Sequence, residues 1–302
     1  MGWRRLGQIY VPRGEREFLV SHASVPFAEA LPGGLHRVWF SPRDAQNRSH
    51  IAWLIVDLHR PQEILDLSPA AALGTGPAGA FDDCGAMMSW LVEHDGGRRI
   101  YYIGWNTRST VPYHVSIGLA DAAPDGTWVR RAGPVLERSV DDPWFCSNPC
   151  VLQEGGGWRM WYLSGLGWED IDGRLSPSYH ICDARSVDGV HWHERGRIAV
   201  PLEGEEFAIA RPSVLRDATG YTMWFSVRTR ERPYRLGAAR SDDGLNWRRV
   251  PSLADLPPAA AGWDSEMVAY PHVFDHDGER WMLYCGNGFG RTGFGLAIWE
   301  RS

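Results

Sequence analysis

The sequence predicts an all-β fold, a five-bladed β-propeller, and three observations lead there. Sixteen tryptophans in 302 residues is several times ordinary usage. Five short aromatic strands recur at a near-constant interval, and Asp-Gly turns followed by a tryptophan recur between them.

The strands are Arg37-Val38-Trp39-Phe40, Ile100-Tyr101-Tyr102-Ile103, Met160-Trp161-Tyr162-Leu163, Met223-Trp224-Phe225-Ser226 and Met282-Leu283-Tyr284-Cys285. Aligned on Phe40, Tyr102, Tyr162, Phe225 and Tyr284 they are 62, 60, 63 and 59 residues apart. Three follow Gly-rich turns (Asp95-Gly96-Gly97, Gly155-Gly156-Gly157 and Asp277-Gly278), the pattern of a hairpin whose second strand is aromatic and half-buried. Downstream, Ser186-Val187-Asp188-Gly189-Val190-His191-Trp192 and Ser241-Asp242-Asp243-Gly244-Leu245-Asn246-Trp247 share S-x-D-G-x-x-W, with Asp125-Gly126-Thr127-Trp128 a looser copy. The glycine allows the positive φ of a tight turn, and the tryptophan opens an outer strand. A unit of about 60 residues with four strands is one propeller blade. The N-terminal Trp3-Arg4-Arg5-Leu6 repeats the outer-strand pattern of Trp247-Arg248-Arg249-Val250, while the last unit stops at a third strand, Leu296-Ala297-Ile298-Trp299. The N-terminal strand is therefore expected to join the last blade and close the ring, making residues 1–302 a single domain.

Composition excludes several functions. No apolar run reaches the roughly 18 residues of a membrane span. The N-terminus lacks a secretory signal, so a cytoplasmic location is expected. A net charge of −6 argues against nucleic-acid partners. The five cysteines contain no C-x-x-C pair, which fits reduced thiols and argues against a structural zinc site. No metal or cofactor is expected, and the oligomeric state is left open.

In a propeller the starts of the inner strands and the loops after the second strands share one face. That mouth would hold His22, Asp44, Asp83, Asn148, Arg211, Arg228, Glu266 and Asn287, with Arg43, Trp105, Asn106, Trp168 and Tyr270 beside them. So many ionisable groups at one channel are costly unless paired or used. Simpler roles stand beside this one: Asp82 or Asp83 as a turn cap, Arg211 with Glu266 as an ion pair between blades, and the in-strand tryptophans as core.

The layout resembles the five-bladed glycoside hydrolases of families 43, 32 and 117 and the related mannoside phosphorylases. The segments D-D-C-G-A-M-M-S-W, Y-Y-I-G-W-N, A-R-P-S-V and G-W-D-S-E-M-V-A-Y-P resemble a glycosidase-like group associated with polysaccharide or sugar biosynthesis. The resemblance implies a sugar-binding channel with carboxylates at its base. The family's first-blade Asp is replaced here by His22, its third-blade Asp by Ser147-Asn148, and the fourth blade offers Arg211.

Three functions follow. A glycoside hydrolase would use Asp83 and Glu266 as base and acid, with Arg211 and Arg228 on an acidic group of the sugar and Trp105 and Tyr270 against its ring. A lyase, isomerase or cyclase would move protons through His22 with Asp83 or Glu266. A non-catalytic carbohydrate-binding propeller would use the same residues for recognition alone. Each takes a small-molecule or oligosaccharide partner.

Overall fold

The computed structural model describes residues 2–94 and 96–300; Asp95 of the expected Asp95-Gly96-Gly97 turn lies outside them. The chain is all-β. It opens with β1 (Gly2–Tyr10). The first group is β2 (Ser21–Ala30), β3 (Leu35–Arg43), β4 (Ala52–Asp57) and β5 (Asp66–Leu67). The second is β6 (Gly85–His94), β7 (Gly97–Thr107), β8 (Tyr113–Ala122) and β9 (Trp128–Arg130). The third is β10 (Cys146–Glu154), β11 (Gly157–Ile171), β12 (Arg174–Ser186) and β13 (Trp192–Val200). The fourth is β14 (Glu206–Asp217), β15 (Gly220–Thr229), β16 (Arg235–Ser241) and β17 (Arg248–Arg249). The last is β18 (Ala269–His276), β19 (Glu279–Cys285) and β20 (Phe294–Glu300), and β1 pairs antiparallel with β20, Trp3 opposite Trp299.

Within each group the strands pair antiparallel in sequence order; one parallel bridge, Tyr179 with Ala208, links the third and fourth groups. The leading strands touch in turn: β2 meets β6, β6 meets β10, β10 meets β14, β14 meets β18, and β18 meets β2.

The aromatic repeat is the core. Phe40, Tyr102, Tyr162, Phe225 and Tyr284 are fully buried. The other in-strand aromatics bridge neighbouring groups: Trp39 packs on Trp128 at 5.8 Å, Tyr101 on Trp192 at 6.0 Å, Trp161 on Trp247 at 5.9 Å and Trp224 on Trp3 at 6.3 Å between ring centroids. Trp281 completes the series against His59. Such aromatic pairs are worth about 0.5–1.5 kcal/mol beyond their buried area, so each turn tryptophan fastens one group to the one before it.

The Asp-Gly turns add a second fastening. Asp188 and Asp243 each accept backbone N–H groups from the residues two and three positions on, which shapes the turn. Gly189 O then accepts the Tyr101 hydroxyl at 2.6 Å, and Gly244 O accepts Arg159 Nη2 at 2.6 Å. A Cβ on Gly189 would lie 2.7 Å from that hydroxyl and one on Gly244 2.3 Å from Arg159 Nη1, so only glycine permits the approach.

A third repeat ties inner loops to outer strands. Asp82 accepts from Tyr102 at 2.9 Å and Arg130 at 2.7 Å. Asp142 accepts from Tyr162 at 2.9 Å and Arg195 at 2.8 Å, and Asp264 from Tyr284 at 3.0 Å and Arg5 at 2.8 Å. Each Asp precedes its Tyr by 20 residues. In the fourth group Glu206 pairs with Arg249, which lies over Phe225 in place of the tyrosine. Arg5 of β1 thus makes the same bond for the last group that outer-strand arginines make elsewhere.

Candidate functional site

Four leading strands contain an X-Pro step: Val25-Pro26, Asn148-Pro149, Arg211-Pro212 and Tyr270-Pro271. Proline has no N–H to give to the ladder, and the pairing of each strand shifts register across this step. The residue before each proline has positive φ, 52° at Val25, 46° at Asn148, 56° at Arg211 and 55° at Tyr270, and His22 stands at 59°. Positive φ is strained for residues other than glycine and clusters at sites whose surroundings hold it in place.

Val25, Asn148 and Tyr270 open into a cavity of about 720 Å³. Its wall also carries His22, Ser24 and Arg43 of the first group, Cys84, Trp105 and Tyr113 of the second, Phe145, Ser147, Ser176 and Tyr179 of the third, and Arg228 of the fourth. Gln46, Asn47 and Arg48 come from the loop after β3, and the exposed Leu175 and Phe289 form an apolar rim. Among the described residues the lining contains no aspartate or glutamate.

Of the residues expected at the mouth, His22, Arg43, Asn148, Trp105, Arg228 and Tyr270 lie on this wall. The others do not, each for a visible reason. Asp83 sits in the turn before β6, where its carboxylate accepts from Gly79 N at 2.9 Å. Glu266 is exposed, its backbone N–H and that of Met267 donate to Asn287 Oδ1, and Asn287 thereby braces the loop off the cavity wall. Asp44 is consumed by Arg48 at 2.8 Å and His50 at 3.0 Å. Asn106 turns to Ala80 O, and Trp168 packs between Tyr113 and Phe145 behind the wall. Arg211 is 0% exposed and lies beneath the wall, its guanidinium donating to Ser89 O at 2.6 Å and Pro26 O at 3.2 Å. It therefore ties three groups together and makes no ion pair with Glu266. Burial pushes its pKa down to about 10, still far above neutrality.

Sequence reasoning missed Arg48, Tyr113 and Tyr179. Tyr113 opens the third strand β8 just after the loop that follows β7, Tyr179 lies within the third strand β12, and Arg48 reaches the cavity through a loop turned back by Asp44. The X-Pro steps were the readable signal for the wall itself.

The charges decide the chemistry. Arg48 is matched by Asp44. Among the described residues no carboxylate lies within ion-pair distance of Arg43 or Arg228. Arg43 donates to Asn47 Oδ1 at 2.7 Å; Arg228 donates to Pro177 O at 2.8 Å and Ser176 Oγ at 3.2 Å. Arg228 is boxed by Phe207 at 4.7 Å, Tyr234 at 5.8 Å and Tyr179 at 6.0 Å, and Tyr179 and Tyr234 share a hydroxyl–hydroxyl hydrogen bond. Burial, then the Arg43 and Arg291 charges, push His22 down to about 4, so its imidazole is neutral near pH 7; its Nδ1 lies 3.0 Å from Ser21 Oγ. Burial also raises the Tyr270 phenol well above its ordinary range, keeping it protonated.

The buried histidines bear on stability as well as on the site. His36 and His114 are held at about 4 by burial, and His272 is pushed well below the ordinary histidine range by burial and the Arg211 charge. The unfolded chain takes up these protons as pH falls below about 6.5, whereas the native chain does not until about 4. Stability is therefore expected to fall across that window, read as a declining urea midpoint. His272→Phe, which removes two buried ring nitrogens without partners, is expected to flatten the decline; a slope unchanged by the substitution would contradict this reading.

No family model matches the chain. The "Uncharacterized protein Rv1502" of Mycobacterium tuberculosis strain H37Rv is 43% identical over 304 residues, spanning 99% of this chain and 100% of that one. The "Uncharacterized protein MT1551" of strain CDC 1551 matches to the same extent. Among solved structures the chain is similar to one described as "Glycoside hydrolase", with TM-score 0.75 and 18% identity over 97% of this chain and 90% of that one. It is also similar to "Crystal structure of a thermostable family-43 glycoside hydrolase", with TM-score 0.67 and 15% identity over 96% and 90%. A third is the structure described as "The GH130 family of mannoside phosphorylases contains glycoside hydrolases that target beta-1,2 mannosidic linkages in Candida mannan", with TM-score 0.69 and 14% identity over 99% and 94%. At these identities the structural likeness shows a shared fold and no more. The chain has a glycosidase-like fold and belongs to the family of the Mycobacterium tuberculosis protein Rv1502.

Proposed function

We propose that the protein is a single-domain, five-bladed propeller, closed by β1 joining the last blade, that takes an anionic saccharide in this cavity. Five repeats of the inter-group aromatic contact and the cyclic order of the leading strands support the architecture. The observation that carries the ligand is the pairing state of the wall. Arg43 and Arg228 reach a cavity whose described lining has no carboxylate. A guanidinium removed from water without a counter-charge is costly, and a carboxylate, phosphate or sulfate on the ligand would supply the missing partner in the planar geometry arginine favours. Trp105, Tyr270 and the apolar rim offer faces for a sugar ring, and the solved glycoside hydrolases of this fold support a saccharide as the carrier of the charge.

Hydrolysis by Asp83 and Glu266 is set aside because neither lines the cavity. An acid–base pair must flank the scissile bond within about 6.5–9.5 Å of each other. Calorimetric titration with an acidic sugar and its neutral counterpart, glucuronate against glucose and then oligosaccharides of each, tests the reading. The acidic series is expected to bind and to weaken as salt is raised. Asp83→Asn and Glu266→Gln are expected to leave that binding unchanged. Equal affinity for the neutral series would refute the proposal.

A further inference from the structure

We infer that the cavity carries out β-elimination on a uronide, with Arg43 holding the carboxylate, His22 taking the proton beside it and Tyr270 protonating the departing oxygen. The inference rests on the anionic-saccharide reading and adds a substrate class and a reaction to it.

The argument starts from which groups can exchange a proton inside the cavity. With no carboxylate in the described lining, they are His22, Cys84 and the tyrosines 113, 179 and 270. Tyr179 is occupied by Tyr234 and the Arg228 box. His22, Arg43 and Tyr270 all line this cavity, His22 and Tyr270 on the touching leading strands β2 and β18 and Arg43 on β3. His22 follows Ser21, the cross-strand partner of Arg43, so the two side chains leave adjacent positions of β2 and β3. The Arg43 charge acts on His22, and Tyr270 lies within its electrostatic reach, ahead of Tyr113. His22 and Tyr270 both stand at positive φ, and Tyr270 N donates to Ser226 Oγ at 2.7 Å, so each ring is presented by constrained backbone.

This combination suits one kind of step. A hydrogen on the carbon bearing a carboxylate becomes removable when a guanidinium neutralises that carboxylate and shares the charge that develops. An imidazole that is neutral near pH 7 can accept that proton and a protonated phenol can supply one; burial and the Arg43 charge make His22 a weaker base than an ordinary histidine, and a ligand carboxylate on Arg43 would offset that charge. In a 4-linked uronide His22 takes the C5 proton. The C5–H electron pair becomes the C4=C5 π bond, the C4–O bond breaks with its pair on oxygen, and Tyr270 gives that oxygen a proton. Imidazolium and phenolate then exchange protons with water. No oxidant, reductant or co-reactant is required. The neutral state of His22 would make it a poor acid for hydrolysis and leaves its ring free to accept the C5 proton.

The full chain should be incubated with oligogalacturonate, hyaluronan fragments and oligomannuronate. Product is read by the ultraviolet absorbance of the 4,5-unsaturated uronide and by mass spectrometry, and deuterium uptake at C5 is followed in D₂O. Turnover of at least one substrate is expected. His22→Gln and Tyr270→Phe should each lower it about 100-fold or more while calorimetric affinity stays within a few-fold. Binding with neither unsaturated product nor deuterium uptake would overturn the elimination and leave the anionic-saccharide reading standing. Release of saturated sugars would overturn it in favour of hydrolysis. Failure of every uronide to bind, with sugar phosphates binding, would overturn the substrate class; failure of all acidic sugars to bind would overturn both readings.

Discussion

Arg43→Met and Arg228→Met are each expected to weaken binding of an acidic saccharide by roughly 100-fold, about 3 kcal/mol, while leaving the fold intact. Each guanidinium lies in partly desolvated surroundings and lacks an acidic partner among the described residues. The ligand's anion would therefore be the partner each of them is built to meet, and truncation removes a charge-assisted hydrogen bond with little water to replace it. The same reasoning fixes the sign of the effect on the free protein. Methionine in the Phe207, Tyr179 and Tyr234 box of Arg228 trades an uncompensated charge for a thioether that packs against rings. The melting temperature of Arg228→Met is expected to hold or rise in the absence of ligand. Calorimetry and thermal melts on the same variants separate the two effects. A loss of stability equal to the loss of binding would make the arginine a structural brace and undo the assignment.

Asp142→Asn is expected to cost about 3–5 kcal/mol of stability, the largest effect among the carboxylate changes. Asp142 is 0% exposed and takes hydrogen bonds from the Tyr162 hydroxyl and from Arg195. The asparagine keeps the shape and removes the charge, leaving Arg195 beside a neutral amide. Tyr162 also accepts Gly196 N at 2.9 Å, so the middle of β13 is loosened at the same time. Asp83→Asn, at a half-buried turn position whose carboxylate takes one backbone N–H, and Glu266→Gln, in solvent, are expected to cost about 1 kcal/mol or less. Urea unfolding of the three variants checks the contrast. Equal small effects at all three would show that the buried Asp–Tyr–Arg unit is not what ties inner loop to outer strand.

The contrast between Asp82 and Asp83 shows how far the chain could be read by eye. Both stand before β6, and either was a fair candidate for a carboxylate at the mouth. The structure buries Asp82 against Tyr102 and Arg130 and leaves Asp83 in the turn. The recurring 20-residue Asp-to-Tyr spacing distinguishes them, and it was present in the sequence at Asp142 and Asp264 as well. The four X-Pro steps were equally visible. Their consequence was not, because a bulge turns a side chain out of the alternation that a regular strand imposes. Arg211 and Tyr270 occupy the same step of neighbouring leading strands, yet one dives beneath the cavity and the other lines it. No alternation rule separates the two.

What the sequence by itself determined is the repeat: five aromatic second strands, the turn tryptophans between them, and an N-terminal Trp3-Arg4-Arg5 written in the pattern of an outer strand. These are local signals, set by periodicity and by glycine's conformational freedom, and they survive without knowledge of what they touch. The tertiary structure alone decided which charged groups meet. Asp44 is consumed by Arg48 and His50, Glu266 faces solvent, and Arg43 and Arg228 are left facing a cavity with no acid in its described wall. Ion pairing depends on angstrom-scale distances between residues remote in sequence, and that is why a mouth read as holding Asp44, Asp83 and Glu266 beside its arginines has none of these acids in the described cavity lining.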